Sequence, residues 1–410
     1  MSSKFGGGGI SAYAHELIKC FSEHHELSIV LGDDSVNRIK DSNVMVYYFD
    51  NADLSVENAE TILTLINEEI QPELIIGSQS RILPLIAPFI KDSIKIITVS
   101  HSLKYVEADI AGYNSQYYDS VVALSEYGKQ HLIHRFGHHS KGKVVVIPNS
   151  VASVEDIESI CRDKENNSKI SIVYPGGTNP PKTPEIVVRT ILELIKSDLD
   201  FDFYWLGNTN CPIRQLSFVK DVRELINDDS RIHIMGFIPR NDALSIIEKA
   251  NIMLLPSRRE GSSVSLLEAM CRGTIPIVAD YNNANKEVVV DGENGFIIKH
   301  EDKKRYAEKI ANIINNPSKY SELYYKTYHS FQENYSYQVW LSKMGELINS
   351  INNNHKRRGM AFDRNLFERL RFKQQILHKY DYYLMLLQES VPTSFALSMM
   401  YINKRLRICQ

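Results

Sequence analysis

The 410-residue sequence is poor in cysteine and has no long apolar run. Its five cysteines are scattered and none forms a Cys-x-x-Cys pair, so we expect neither a metal site nor a disulfide framework. No segment approaches the roughly 20 apolar residues needed to span a bilayer. The first residues also lack the apolar core of a signal peptide, and the scattered cysteines fit a reducing cytosol.

An excess of charge of one sign is also missing. The sequence has 47 Lys and Arg residues against 50 Asp and Glu residues, which gives a net charge of -3. This balance provides no general attraction to nucleic acid. The hydrophobic fraction of 43% is ordinary for a globular protein, and the length predicts two α/β domains rather than one core.

The most informative stretch is 251–280. Its apolar run 252–255, stopped by Pro256, predicts a buried strand of a parallel sheet. A polar turn follows, then apolar residues at helical spacing over 264–271, and then another apolar strand over 274–279. Ligands bind at such strand-to-helix turns in α/β sheets, and a helix start favours a phosphate.

Two serines and two acids occupy this turn and its helix. Either Ser262 or Ser263 could cap the helix. Glu260 lies in the turn and Glu268 lies between apolar residues of the helix, so we expect Glu268 to be partly enclosed. Both acids could be solvated surface charges, but a carboxylate here is also suited to accepting hydrogen bonds from sugar hydroxyls.

This block resembles the E-x7-E motif of family 4 glycosyltransferases. The resemblance rests on residues 256–257, 260–261, 267–270, 273 and 276–279. It implies the α/β fold called GT-B, with two Rossmann-like doubly wound domains facing across a cleft. It also implies that Glu260 contacts a donor sugar, that Glu268 holds the ribose of a nucleotide, and that turn amides bind the diphosphate or the sugar. These amides belong to Gly261, Ser262, Ser263 and Val264.

Other segments agree with alternating strands and helices. In the first half we expect strands over 27–31, 44–49, 74–77, 94–99, 120–124 and 143–147, and helices over 57–69 and 125–136. In the second half we expect strands over 170–174, 201–206 and 231–236, and helices over 302–314 and 320–351, the latter broken near Ser336. We predict domains over 1–163 and 164–318, helices crossing back over 319–351, and an extension over 352–410, with 164–168 as the linker.

The sequence begins with a glycine-rich loop that contains Gly7, Gly8 and Gly9. Such a loop before a helix lets backbone amides approach a phosphate or an acceptor sugar, although a flexible leader is the alternative. A dinucleotide fingerprint would need a strand before the loop, and no room for one is left. Family members have that strand, so we expect that the true start lies upstream or that the sheet lacks a strand.

His101 follows a predicted strand and should therefore lie at the carboxyl edge of its sheet. A lone histidine is more often a packed or surface residue. The resemblance favours a catalytic role, because family members often carry a histidine close to the donor sugar at the end of this strand.

Lys182 closes a glycine-rich turn before a helix and could neutralise a diphosphate, although a surface lysine is the alternative. Family members usually have an arginine where this chain has Gly177 and a glycine where it has Thr183. Losing that arginine should weaken diphosphate binding unless Arg258, Arg259 or another cation compensates. The resemblance also places Phe237 and Ile238 beside the nucleotide base.

The last segment, 352–410, carries eleven basic and four acidic residues with aromatic residues between them. Basic aromatic helices can lie on anionic membrane surfaces. Packing of this tail on the protein itself or on a second copy is the equal alternative.

Together these patterns and the resemblance predict a retaining, metal-independent glycosyltransferase without a cofactor. Its substrates would be a nucleotide-sugar donor and a glycan or lipid-linked acceptor in surface polysaccharide synthesis. One alternative is a nonenzymatic relative that binds a glycan or a protein partner. The other is a nucleotide-sugar epimerase of the same fold.

Overall fold

The structure is a computed structural model. It describes residues 13–14, 17–19, 21–22, 25–31, 44–49, 53–101, 111–137, 142–207, 229–281, 283–300, 302–351 and 358–375. The chain divides into two compact units. Unit 1 comprises Met1–Val122, His131–Val145 and Ile351–Gln410, and unit 2 comprises Ala123–Gln130 and Val146–Ser350.

The strands that precede residue 147 form two sheets. Strands β1 (Leu27–Leu31) and β2 (Val44–Tyr48) are a parallel pair. The other sheet has the order β3-β4-β5-β6, with bounds Leu74–Ser78, Lys95–Ser100, Ser120–Ala123 and Val144–Val146. The helices here are α1 (Val56–Thr64, continued by a π-helical turn over Leu65–Ile70), α2 (Leu83–Ile86) and α3 (Glu126–Phe136).

Unit 2 is built on a six-stranded sheet in the order β12-β11-β10-β7-β8-β9. In chain order its strands are β7 (Ile170–Pro175), β8 (Phe201–Leu206), β9 (Ile232–Gly236), β10 (Ile252–Leu255), β11 (Ile275–Ala279) and β12 (Phe296–Ile298). Every pair of neighbours in this sheet is parallel. Parallel strands need crossover helices, and these cover both faces of the sheet.

The described helices of unit 2 precede, separate and follow its strands along the chain. They are α4 (Ile157–Asn166), α5 (Pro184–Ile195), α6 (Arg240–Lys249), α7 (Val264–Met270), α8 (Ala284–Val288), α9 (Lys303–Asn315), α10 (Pro317–Tyr335) and α11 (Tyr337–Ser350). Successive residues of β10 enter different cores: Ile252 and Leu254 pack with α5 and α9, whereas Met253 and Leu255 pack with α6 and α7. The sheet is therefore doubly wound, as the sequence predicts.

The apolar runs predicted most strands to within a residue or two. The predicted break near Ser336 is confirmed, since α10 ends at Tyr335 and α11 begins at Tyr337. The prediction of a linker over 164–168 is wrong, because α4 continues to Asn166 and Lys164 is buried. The polar composition of this helix reflects a solvated face, and its lysine points inward.

Residues 358–375 belong to unit 1, and 364–375 form helix α12. The guanidinium of Arg358 bonds Asp119 at 3.1 Å, and both side chains are 1% exposed. Phe367 is fully buried. The hydroxyl of Tyr113 donates to the carbonyl oxygen of Leu370 at 3.0 Å. For this part of the tail, packing on the protein itself is therefore what the structure shows.

Candidate functional site

The turn after β10 is fixed by hydrogen bonds from two directions. The hydroxyl of Ser263 accepts from the backbone N–H of Leu266, so Ser263 is the cap of α7. The side-chain amide of Asn149 donates to the carbonyl oxygen of Ser262 at 3.0 Å. Of the two serines that could cap the helix, Ser262 is instead held by the segment that follows β6. These bonds fix the backbone immediately after Glu260.

Lys182 and Glu260 form an ion pair at the carboxyl ends of neighbouring strands. Nζ of Lys182 lies 2.7 Å from Oε1 of Glu260, whose side chain is 11% exposed. The two loops also bond through their backbones, because the N–H of Arg258 donates to the carbonyl oxygen of Pro181 at 2.8 Å. Two residues that lie 78 positions apart in the sequence therefore meet at one edge of the sheet.

Two aromatic side chains anchor the loop that carries Lys182. The hydroxyl of Tyr174 donates to the carbonyl oxygen of Gly177 at 3.0 Å, and Nε1 of Trp205 donates to that of Gly176 at 2.7 Å. A Cβ on Gly176 would lie 2.5 Å from the Tyr174 ring, so the close approach requires glycine there. Burial raises the pKa of the Tyr174 hydroxyl well above its usual value, which keeps it a proton donor.

Thr183 has the left-handed backbone conformation, with φ of 47°. This is the position at which the family pattern has glycine, which adopts that conformation without strain. Thr183 is fully buried, and its hydroxyl donates to the carbonyl oxygen of Pro256. The hydrogen bond ties this loop to the one carrying Glu260 and helps to hold Thr183 in the left-handed conformation.

Glu268 pairs with Arg240, the first residue of α6. Oε1 of Glu268 accepts from Nη2 of Arg240 at 2.7 Å and from Nε at 3.2 Å. The Glu268 side chain is 12% exposed, which confirms that it is partly enclosed, whereas that of Arg240 is 52% exposed. The sequence analysis missed Arg240, because nothing in its local pattern indicates a partner 28 positions away.

The loop before Arg240 carries the two residues expected beside a nucleotide base. Phe237 is 91% exposed, an unusual position for a large aromatic side chain in the described part of the chain. Ile238 is partly buried against the core cluster that includes residues of α7. The structure therefore presents an uncovered aromatic surface close in sequence to the Arg240–Glu268 pair.

His101 lies in unit 1, directly after β4. Its Nε2 is 2.8 Å from the hydroxyl oxygen of Ser78, at the end of β3, and Tyr13 contacts its ring edge-on. Loss of solvation lowers the pKa of His101 to about 4, so the imidazole is neutral near pH 7. Gly7, Gly8 and Gly9 lie outside the described residues.

Within the described ranges, no group of three or more His, Cys, Asp or Glu side chains is arranged to hold a metal ion. The described cysteines, Cys161 and Cys271, are buried and free. No helix among the described residues combines the length and apolarity that a membrane crossing requires.

Comparison with known families decides the relationship. Residues 7–153 match the model described as Glycosyltransferase Family 4, and residues 219–330 match the model described as Glycosyl transferases group 1. Two parts of the chain are thus similar to glycosyltransferases, and together they make up more than half of it. The second match contains both Glu260 and Glu268, and the first contains His101.

One similar protein is an uncharacterized glycosyltransferase of Methanocaldococcus jannaschii. It is 26% identical over 198 residues, which is 48% of this chain and 50% of that protein. The match spans between 34% and 59% of the first three curated relatives' own lengths.

Solved structures of two other proteins share the fold. HepE of Anabaena in complex with UDP-glucose has a TM-score of 0.68 at 16% identity, covering 85% of this chain and 98% of that one. The lipopolysaccharide outer core galactosyltransferase WaaB has a TM-score of 0.63 at 16% identity, with the same coverage. At these identities the likeness shows the fold alone, which is GT-B.

Proposed function

We propose that this protein is a glycosyltransferase that moves a sugar from a nucleotide-sugar donor to a hydroxyl of a glycan or lipid-linked glycan. The observation that carries the proposal is the pairing of both motif carboxylates with cations in unit 2. Glu260 pairs with Lys182, and Glu268 pairs with Arg240. Fixed carboxylates accept hydrogen bonds from sugar hydroxyls, while cations bind phosphate, so the arrangement suits a sugar joined to a diphosphate.

Each residue has a distinct role in this proposal. Glu268 accepts from the ribose hydroxyls and Glu260 contacts the donor sugar. Lys182 transfers its hydrogen bonding from Glu260 to the diphosphate and stabilises the negative charge that develops on the leaving phosphate. The amides of Gly261, Ser262, Ser263 and Val264 and the backbone at Gly177 contribute further donors near the diphosphate and the sugar.

The base and the acceptor complete the assignment. Phe237 and Ile238 lie beside the nucleotide base, and the glycine loop at Gly7, Gly8 and Gly9 binds the acceptor or a phosphate. We assign His101, like Glu260, a catalytic role. Its neutral imidazole can accept a hydrogen bond from a sugar hydroxyl, or donate one to it, without placing a positive charge in the site.

We further propose that transfer retains the anomeric configuration and requires neither a metal ion nor a cofactor. In this mechanism the acceptor hydroxyl attacks on the face from which the nucleoside diphosphate departs. The new glycosidic C–O bond forms as the sugar–phosphate bond breaks, and the departing phosphate accepts the hydroxyl proton. The atoms therefore balance without a protein base, which assigns Lys182 to charge neutralisation and Glu260 to positioning the sugar.

The test is release of nucleoside diphosphate from a panel of UDP-, GDP- and ADP-sugars, first with water and then with glycan primers as acceptors. We expect one donor to be consumed by the wild type. Glu260→Ala should abolish turnover, and Glu268→Ala should weaken donor binding at least about tenfold. The exposed Glu293 of the same unit provides the matched control, and Glu293→Ala should leave both unchanged. Turnover in both motif variants at the wild-type rate would refute the assignment.

Gly177 favours one alternative, a nonenzymatic relative that binds a glycan or a protein. Without the arginine usual at this position, diphosphate neutralisation falls to Lys182 and its neighbours. The same panel distinguishes the alternatives, because a nonenzymatic protein would neither gain thermal stability from nucleoside diphosphates nor consume a donor. Formation of a new nucleotide-sugar without any acceptor would instead indicate an epimerase.

For location, we propose that the protein works in the cytoplasm against the inner face of the cell membrane during surface polysaccharide synthesis. Support comes from the outward face of α12, where Phe372 is exposed beside Arg369 and Lys373. Basic and aromatic side chains together favour anionic lipid surfaces. Vesicle flotation tests this: binding should require anionic lipid and should fall in an Arg369→Ala, Phe372→Ala, Lys373→Ala variant. Equal binding by that variant would contradict the proposal.

A further inference from the structure

In the Arg240–Glu268 pair, the two oxygens of the Glu268 carboxylate have different surroundings. Both hydrogen bonds from Arg240 reach Oε1 of Glu268. Among the residues that the structure describes, none donates a hydrogen bond to Oε2. One oxygen is therefore held by the protein while the other is left for a ligand.

The rest of Glu268 is also held in place. Its backbone carbonyl accepts from Nη1 of Arg272 at 3.0 Å, and its neighbours Leu267 and Ala269 are fully buried. The side chain can still rotate about its own bonds, so the guanidinium of Arg240 is what fixes the direction of the carboxylate. A planar guanidinium that donates two bonds restricts orientation more than a single-point contact does.

Charge gives Arg240 a second effect. A nucleoside diphosphate is an anion, and an unpaired Glu268 carboxylate beside it would oppose binding. Arg240 neutralises that carboxylate in the same way that Lys182 neutralises Glu260. The guanidinium is half exposed, so it also remains accessible to the ligand's own oxygens.

We infer that Arg240 is a positioning residue that presents Oε2 of Glu268 to the ribose diol and thereby sets the preference of this site for ribonucleotides. The inference rests on the proposed nucleotide-sugar function and deepens it. It differs from a general stabilising role, because the ribose hydroxyls themselves should become unimportant when Arg240 is removed.

The experiment compares ribo- and deoxyribonucleotides on the full chain. The nucleoside diphosphate among UDP, GDP, CDP and ADP that raises the melting temperature most is titrated beside its 2′-deoxy and 3′-deoxy forms. For the wild type we expect at least one deoxy form to bind about tenfold more weakly, which is the effect of losing a hydrogen bond to a charged group. Arg240→Ala should bind the ribonucleotide about tenfold more weakly than the wild type does. The ratio of its affinities for the ribo and deoxy forms should fall below about threefold.

Lys249 provides the control, because it is an exposed cation at the other end of α6. Lys249→Ala removes the same charge and should keep the wild-type discrimination. If Arg240→Ala lost affinity equally for the ribo and deoxy forms, it would still distinguish them as the wild type does. That result would overturn the inference while leaving the proposed function intact. Failure of the wild type to bind any of the four nucleotides would overturn both.

Discussion

Replacing Lys164 with methionine should change how the stability of the protein depends on pH. Nζ of Lys164 is enclosed, and it donates to the carbonyl oxygen of Ala250 at 2.6 Å and to the hydroxyl of Thr274 at 2.7 Å. Burial lowers the pKa of this amine from 10.5 to about 7, with smaller, opposed contributions from nearby Glu248 and Arg272. Between these two values the unfolded chain binds more protons at Lys164 than the folded chain does.

The free energy of unfolding should therefore rise with pH across this window. The contribution of the neutral amine is complete above the unfolded pKa and is lost as the pH falls toward 7. One pKa unit corresponds to about 1.4 kcal/mol, so from pH 7.5 to 9.5 the wild type should gain about 2 kcal/mol relative to Lys164→Met. Other titrating groups are common to both proteins and cancel in the difference.

The assay is urea unfolding of both proteins at pH 7.5, 8.5 and 9.5. Lys249→Met, which removes an exposed lysine from the same unit, should stay parallel to the wild type at all three values. A constant gap between the wild type and Lys164→Met would show that the buried amine does not titrate in this window and would refute the reasoning.

Two further predictions concern buried polar contacts. Arg358→Leu should cost about 3–5 kcal/mol of unfolding free energy, because it leaves the buried Asp119 without the guanidinium. Adding Asp119→Asn should recover part of that loss. Equal stability of the single and double variants in urea unfolding would contradict this prediction. Thr183→Val should cost about 1 kcal/mol more than Thr183→Gly, because valine keeps the backbone strain and leaves the Pro256 carbonyl without its partner, whereas glycine relieves the strain. A more stable valine variant in thermal unfolding would show that side-chain packing outweighs both effects.

The sequence was sufficient to predict most strands of both units because buried parallel strands are short apolar runs. The strands predicted over 252–255 and 201–206 have the same bounds in the structure. The same reasoning failed at Lys164, because composition alone assigns a charged residue to solvent. Its amine is surrounded by the carbonyl oxygen of Ala250, the hydroxyl of Thr274 and the ring of Tyr324. These groups come from distant segments, so the local sequence pattern gives no sign of them.

For the site, the sequence predicted the residue types but not their pairing. Glu260 and Lys182 were both expected to act on the donor, yet their direct contact depends on two loops meeting at one sheet edge. Arg240 was missed for the same reason. Thr183 was treated as a departure from the family pattern, and only the backbone angle shows that it adopts the left-handed conformation that glycine adopts without strain.

The central claim is that the carboxylates at 260 and 268 belong to a nucleotide-sugar site in unit 2. Calorimetric titration of the consumed donor into the wild type and into Glu268→Ala tests it most directly. We predict saturable binding to the wild type and at least about tenfold weaker binding to Glu268→Ala, with its fold intact by circular dichroism. Equal affinity in the two proteins would contradict the account.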